Sequence, residues 1–83
     1  MHKVYDQTEY DQYHFLTTTL EKEKAYWHFG VSDHYKHDPD KRYYAHIWTI
    51  SGWGKYCYAP SPIEALSLVF KEYRTANVGA SNG

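Results

Sequence analysis

The sequence predicts an α+β domain in which a small antiparallel three-stranded sheet carries helices packed on one face, in the order α-β-β-β-α. Three observations carry this expectation. Residues 61–74, SPIEALSLVFKEYR, combine a helix start signal with one apolar stripe; residues 42–60, RYYAHIWTISGWGKYCYAP, read as a β-hairpin; residues 25–32, AYWHFGVS, alternate with the two-residue period of a strand. At 83 residues the chain suits one thin core, so a single domain over residues 1–75 is expected, followed by a flexible tail at 76–83 whose small and polar residues have no period.

Each element has a local reason. In residues 6–24, DQTEYDQYHFLTTTLEKEK, the side chains Tyr10, Tyr13, Leu16 or Thr17, and Leu20 recur at spacings of three and four, and Asp6 with Glu9 has the form of a capping box. The run Thr17-Thr18-Thr19 favours the competing reading of YHFLTTTL as a strand, because β-branched residues lose rotamer freedom in a helix. Residues 25–32 then set Trp27, Phe29 and Val31 against Tyr26, His28 and Gly30. The segment DHYKHDPDK, 33–41, is a polar loop with turn chemistry around Pro39. A hairpin follows, with strands at 43–51 and 55–59 and a Gly-Trp-Gly turn at 52–54. Finally, Ser61 is an N-cap, Pro62 takes the first helical position where its missing N–H is harmless, and Glu64 completes the box. Ile63, Leu66, Val69, Phe70 and Tyr73 form the stripe of that helix, with Lys71, Glu72 and Arg74 toward water.

Composition narrows the function classes. Nine Lys and Arg against ten Asp and Glu give a formal charge of -1, without the basic excess of phosphate binders or the acidic excess of a DNA mimic. Aromatic residues make up 19% of the chain, ten of them Tyr and three Trp, and such side chains suit surfaces that are wet at one time and covered at another. The single cysteine, Cys57, excludes an internal disulfide and is read as a small buried hydrophobe. The start, MHKVYDQTEYDQ, has neither a basic region nor an apolar core of a secretory signal, and no apolar run approaches membrane-spanning length. A reducing cytoplasm with no membrane contact is the expectation.

The hairpin poses the main question, because neither strand face is made for water. A three-residue turn with Gly54 left-handed pairs Ile50 with Tyr56 and Trp48 with Tyr58. Tyr44, His46, Trp48, Ile50, Tyr56 and Tyr58 then share one face, and Tyr43, Ala45, Ile47, Thr49, Cys57 and Ala59 the other. The second, flatter face suits close packing by Leu66, Val69 and Phe70, which leaves the first open and extended by Tyr26 and His28. The opposite arrangement, with Tyr44, Trp48 and Ile50 inside, remains the alternative, as does burial of the open face by a second copy in a homodimer.

Catalytic and metal readings are thin. Asp33, His34, His37 and Asp38 in DHYKHD are the one local group of ligand types, but a metal site needs three or four ligands held in place, and a polar turn is the plainer reading. Cys57, His46 and Asp33 form a triad only if placed freely in space. No enzyme activity and no cofactor is expected. Nucleic acid is the competitor from another class: aromatic sheet faces stack unpaired bases, and Lys41, Arg42 and Lys55 flank the hairpin. The element order is also that of double-stranded RNA-binding domains, although Pro60, Ser61, Pro62 and Glu64 stand where those domains are basic.

The stretch YYAHIWTISGWGKYCYAPSPIEALSLVFKEY, 43–73, resembles a pattern of small bacterial and phage proteins in which a two-strand meander leads into a capped helix opening Glu-Ala-Leu. HicB-type antitoxins, a small phage inhibitor of bacterial RNA polymerase and some anti-CRISPR proteins share it. The resemblance implies a phage-encoded inhibitor that occupies a functional surface of a bacterial protein or ribonucleoprotein complex, a CRISPR effector or the transcription machinery. On that expectation Tyr44, Trp48, Tyr56 and Tyr58 anchor the partner, Tyr26, His28 and His46 flank them, and Asp33, Asp38, Asp40 and Arg42 steer from the rim.

Overall fold

A computed structural model describes residues 7–77. Helix α1 (Gln7–Lys22) is followed by strands β1 (Tyr26–Val31), β2 (Tyr43–Trp48) and β3 (Gly54–Ala59) and by helix α2 (Pro62–Asn77). The strands form one antiparallel sheet in the order β1-β2-β3, which is the α+β fold the sequence implies. Helix α2 continues two residues beyond the domain end expected at 75; residues 78–83, like Asp6 of the expected capping box, lie outside the described residues.

The threonine run lies within helix α1. Thr17 Oγ1 donates to the carbonyl of Tyr13 at 2.9 Å, so its hydroxyl is satisfied one turn back and the side chain is buried without an orphaned polar atom. Helix α1 ends in a Schellman motif: Ala25 N donates to Leu20 O at 2.9 Å and Lys24 N to Glu21 O at 3.1 Å, with Lys24 left-handed at φ 62°. Leu20 and Ala25, the apolar pair that accompanies such a cap, both enter the core. Of the expected stripe, Tyr10 stays exposed, while Tyr13 meets Phe29 of β1 edge-on at 5.9 Å.

Between β1 and β2 the chain makes consecutive turns. Ser32 N donates to Arg42 O at 2.8 Å, Ser32 Oγ accepts from Tyr35 N at 3.0 Å, and Asp38 Oδ1 accepts from Asp40 N at 2.9 Å around Pro39.

The hairpin departs from the expected turn. The connection is residues 49–53, closed by Thr49 N donating to Trp53 O at 2.9 Å and by Trp53 N reaching Thr49 Oγ1 at 3.3 Å. Gly52, at φ 109°, supplies the left-handed step assigned to Gly54, which instead opens β3. Trp53 is the physical reason: its half-buried ring packs on Tyr73 of α2 at 5.9 Å, a contact that lies outside local turn chemistry. Trp48 therefore pairs with Gly54 rather than with Tyr58. The slip is an even number of residues, so every side chain that stays within β2 and β3 keeps the face expected of it. Ile50 alone leaves that face, exposed in the loop at 87%.

Ala45, Ile47 and Ala59 of the sheet face the helices and are buried with Leu16, Leu20, Ala65, Leu66, Val69 and Tyr73. Three alanines at this junction, Ala45, Ala59 and Ala65, let α2 lie close over β2 and β3, while α1 flanks β1. Trp27, Phe29, Cys57 and Phe70 close the margin of the core, whereas Val31, at the end of its strand, is exposed. Leu20, Ile47, Leu66 and Val69 are wholly enclosed, each worth about 1.5–3 kcal/mol of apolar transfer. The start of α2 follows the N-cap half of its sequence signal: Ser61 Oγ accepts from Glu64 N at 3.3 Å and Ser61 O from Ala65 N at 3.0 Å, while the Glu64 carboxylate accepts from the Ser61 hydroxyl at 3.3 Å in place of the backbone N–H that the expected capping box calls for. Among the described residues no helix is long and apolar enough to cross a membrane.

Candidate interaction surface

The face of the sheet turned away from both helices is a grid of nine positions. Its rows, read across β1, β2 and β3, are Tyr26–Trp48–Gly54, His28–His46–Tyr56 and Gly30–Tyr44–Tyr58. All seven side chains are aromatic, and the two glycines occupy opposite corners. Each corner is used by a neighbour: a Cβ at Gly30 would stand 3.4 Å from the Tyr44 ring, and one at Gly54 would stand 3.6 Å from His46 Nε2. Tyr44 thus reaches across Gly30 toward β1, where its hydroxyl shares a hydrogen bond with His28 Nδ1 at 2.8 Å.

The rings stack on one another. Tyr26 and Trp48 lie 5.7 Å apart and within 25° of parallel, Trp48 and His46 are 4.6 Å apart at 26°, and His46 and Tyr56 are 4.0 Å apart at 3°. Parallel rings 4.0 Å apart on strands spaced about 4.8 Å stand upright on the sheet, so their faces meet each other and their edges and polar tips point outward. Exposure reaches 48% for Tyr26, 52% for Tyr56, 38% for Tyr58 and 36% for Trp48. Burial, and then the charge of His28 across the strand, push the His46 pKa down.

The surface continues onto the β1–β2 loop through a residue the sequence did not single out. Tyr35 meets Tyr58 edge-on at 5.0 Å, with His34 at 4.6 Å against its ring and Lys41 Nζ 5.0 Å from its centroid. A loop aromatic has no periodicity to reveal it; only its residue type was available as a signal.

The remaining expected site residues separate into two groups. Asp33, Asp40 and Arg42 are exposed in the loop and at its end, as a rim requires. Asp38 uses its carboxylate to cap the Pro39 turn, a structural task. Lys55 belongs to the opposite face, where it pairs with Glu72 of α2 at 3.3 Å.

No grouping of three or more His, Cys, Asp and Glu side chains suited to a metal occurs among the described residues, so Asp33, His34, His37 and Asp38 are not assembled. Nor does a Cys57–His46 arrangement form, since the two alternate to opposite sides of the sheet. Burial first, and Glu72 second, raise the Cys57 thiol pKa, with Lys55 opposing, which keeps the weakly nucleophilic thiol form. Hollows of about 490 and 470 Å³ at the ends of the helices include none of the seven aromatic-face residues. Comparison with protein-family models, curated proteins and solved structures gave no match.

Proposed function

We propose that the protein is a non-enzymatic docking module that seats a protein partner on the open aromatic face of its sheet. The observation that carries this reading is the pile of upright rings at the centre of a face without an ion pair among the described residues, backed by a core packed independently on the other side. At the exposures given above, Tyr26, Trp48, Tyr56 and Tyr58 alone offer roughly 350 Å², nearly half of the ~800 Å² each partner contributes to a standard interface. Tyr35 and the rim enlarge that area.

The same stacking weighs against nucleic acid. A base needs a free ring face, and at the centre of the pile Trp48 and His46 each stack against two neighbouring rings. Of the three expected phosphate contacts, Lys55 is committed to Glu72 on the far side and Lys41 lies against Tyr35. The finer reading, a phage inhibitor aimed at a bacterial complex, rests on the pattern of residues 43–73.

The test compares immobilised wild type with Tyr56→Ala and with Phe15→Ala, the latter a control on exposed α1. Retention of a protein that survives nuclease, persists with Phe15→Ala and weakens about 30-fold with Tyr56→Ala, equivalent to about 2 kcal/mol, supports the proposal. Retention indifferent to Tyr56, retention of nucleic acid alone, or a chain that dimerises through Tyr56 overturns it.

A further inference from the structure

We propose that the outer edge of β1 pairs with the same edge of a second copy of the chain, joining the two sheets into one continuous antiparallel sheet about a two-fold axis. The inference goes beyond the docking reading: it concerns an edge of the sheet, and Tyr56 on the far strand stays uncovered.

Strand β1 has β2 on one side only. Which of its backbone groups face outward is fixed by one bond. Ser32 and Arg42 continue the β1–β2 register one step beyond Val31 and Tyr43, and Ser32 N donates to Arg42 O at 2.8 Å, so they form a hydrogen-bonded pair. Such pairs alternate along an antiparallel ladder. Gly30, His28 and Tyr26 therefore turn their N–H and C=O groups toward β2, while Trp27, Phe29 and Val31 turn theirs to the open edge. Among the described residues no hydrogen bond reaches those outward groups. The edge also lacks the usual devices against pairing: Tyr26–Val31 contains no Lys, Arg, Asp, Glu or Pro, and its register with β2 runs without a bulge. The other edge differs, since β3 contains Lys55 and runs into Pro60.

A second copy fits this edge because the strand is complementary to itself. In a two-fold antiparallel pairing centred on Phe29, Phe29 faces its own copy and Trp27 faces Val31 of the second copy, so every outward-facing residue meets another. No other centre pairs all three. The side chains brought together are one aromatic pair and two aromatic–β-branched pairs, combinations that stabilise neighbouring strands. Each has surface to give: Val31 is 57% exposed, and Trp27 and Phe29 are half-buried at the margin of the core. A strand without Lys, Arg, Asp or Glu also meets its own copy without the like-charge repulsion that identical chains otherwise bring. At about 3.3 Å per residue the seam is roughly 20 Å long. It covers less than the ~800 Å² per copy of a standard interface, so the dimer is weak and depends on concentration.

Amide hydrogen exchange on the wild-type chain reads the edge directly. At about 20 μM, Trp27, Phe29 and Val31 are expected to exchange fast while His28 and Gly30 are protected; at about 1 mM the first three gain about tenfold protection or more. Sedimentation equilibrium over the same range is expected to show the mass rising toward that of a dimer. Val31→Pro removes an outward donor without costing a bond to β2, and is expected to weaken dimerisation about tenfold or more. Val31→Glu, which keeps the N–H and sets a carboxylate against Trp27 of the second copy, is expected to do the same, so the test stands if the proline variant fails to fold. Tyr56→Ala is expected to leave dimerisation unchanged. A chain that stays monomeric at the higher concentration, outward amides equally protected at both, or a dimer indifferent to Val31→Glu overturns the edge pairing and leaves docking standing. A dimer lost in Tyr56→Ala removes both.

Discussion

Truncating Tyr56 and truncating Leu66 provide opposite tests of which side of the sheet is the core. Tyr56 is the larger side chain, but it is 52% exposed and its ring contacts are to His46 and Tyr44 across the strands. Cross-strand pairs contribute about 0.2–1 kcal/mol each relative to alanine, so Tyr56→Ala is expected to cost about 1 kcal/mol. Leu66 is fully enclosed within the cluster formed by Ile47, Val69, Tyr73 and the three junction alanines. Leu66→Ala forfeits both the transfer energy and the cavity, about 3 kcal/mol within a range of about 2–5. A chain of this size has roughly 4–12 kcal/mol of stability in total, so the second variant loses a large share of it. Urea unfolding followed by far-UV circular dichroism measures both, and midpoints in thermal melts are expected to fall by about 4–8 °C for each kcal/mol. An inverted order, with Tyr56→Ala costing about 3 kcal/mol or more and Leu66→Ala nearly silent, refutes the assignment of faces.

Three further outcomes follow from individual residues. Lys24→Gly is expected to stabilise the chain by about 1 kcal/mol in urea unfolding, because Lys24 holds the left-handed position of the Schellman motif at φ 62° and glycine adopts it without steric cost. Gly52→Ala is expected to cost about 1–2 kcal/mol: nothing lies within 4 Å of the added methyl, so the whole effect comes from its φ of 109°. Burial, the hydrogen bond to Glu23 and the charge of Glu23 push the Tyr73 phenol from 10.0 up to about 12. The unfolded chain then ionises first on the alkaline side, so this contribution is intact below pH 10 and disappears as the pH rises through about 12. Denaturation across that window is expected to show the loss in wild type and a weaker one in Tyr73→Phe.

The parts legible in the sequence are those with local or parity-based causes. Ser61-Pro62 announces α2 because the N-cap bond, from Glu64 N to Ser61 Oγ, is made within one turn. The faces of the hairpin were readable although its turn was not, since an even slip leaves alternation intact. Turn length depended on Trp53 packing against Tyr73, a contact between residues twenty apart in sequence. The end of α1 was hidden because a lysine in the left-handed region carries no residue-type signal, and the helix itself competed with a strand because β-branched residues such as Thr17-Thr18-Thr19 are enriched in strands, whereas burial of Leu16, Thr17 and Leu20 against the core is a tertiary effect. Within the interaction surface, the alternation of β1 and β2 gave Tyr26, His28, Tyr44, His46 and Trp48 directly. Tyr35 joined them only through tertiary packing on Tyr58, and the upright stacking of the rings follows from side-chain geometry that no sequence period encodes.

Hydroxyl-radical footprinting read by mass spectrometry, on the free chain and on the chain bound to the protein it retains, addresses the docking surface most directly. Ready oxidation of Trp48, Tyr56 and Tyr58 when free, strong protection of all three when bound, and an unchanged Phe15 on α1 are the results expected of an aromatic face that seats a partner. Trp48 and Tyr56 already protected in a free monomer, or oxidised equally in both states while Phe15 becomes covered, contradict it.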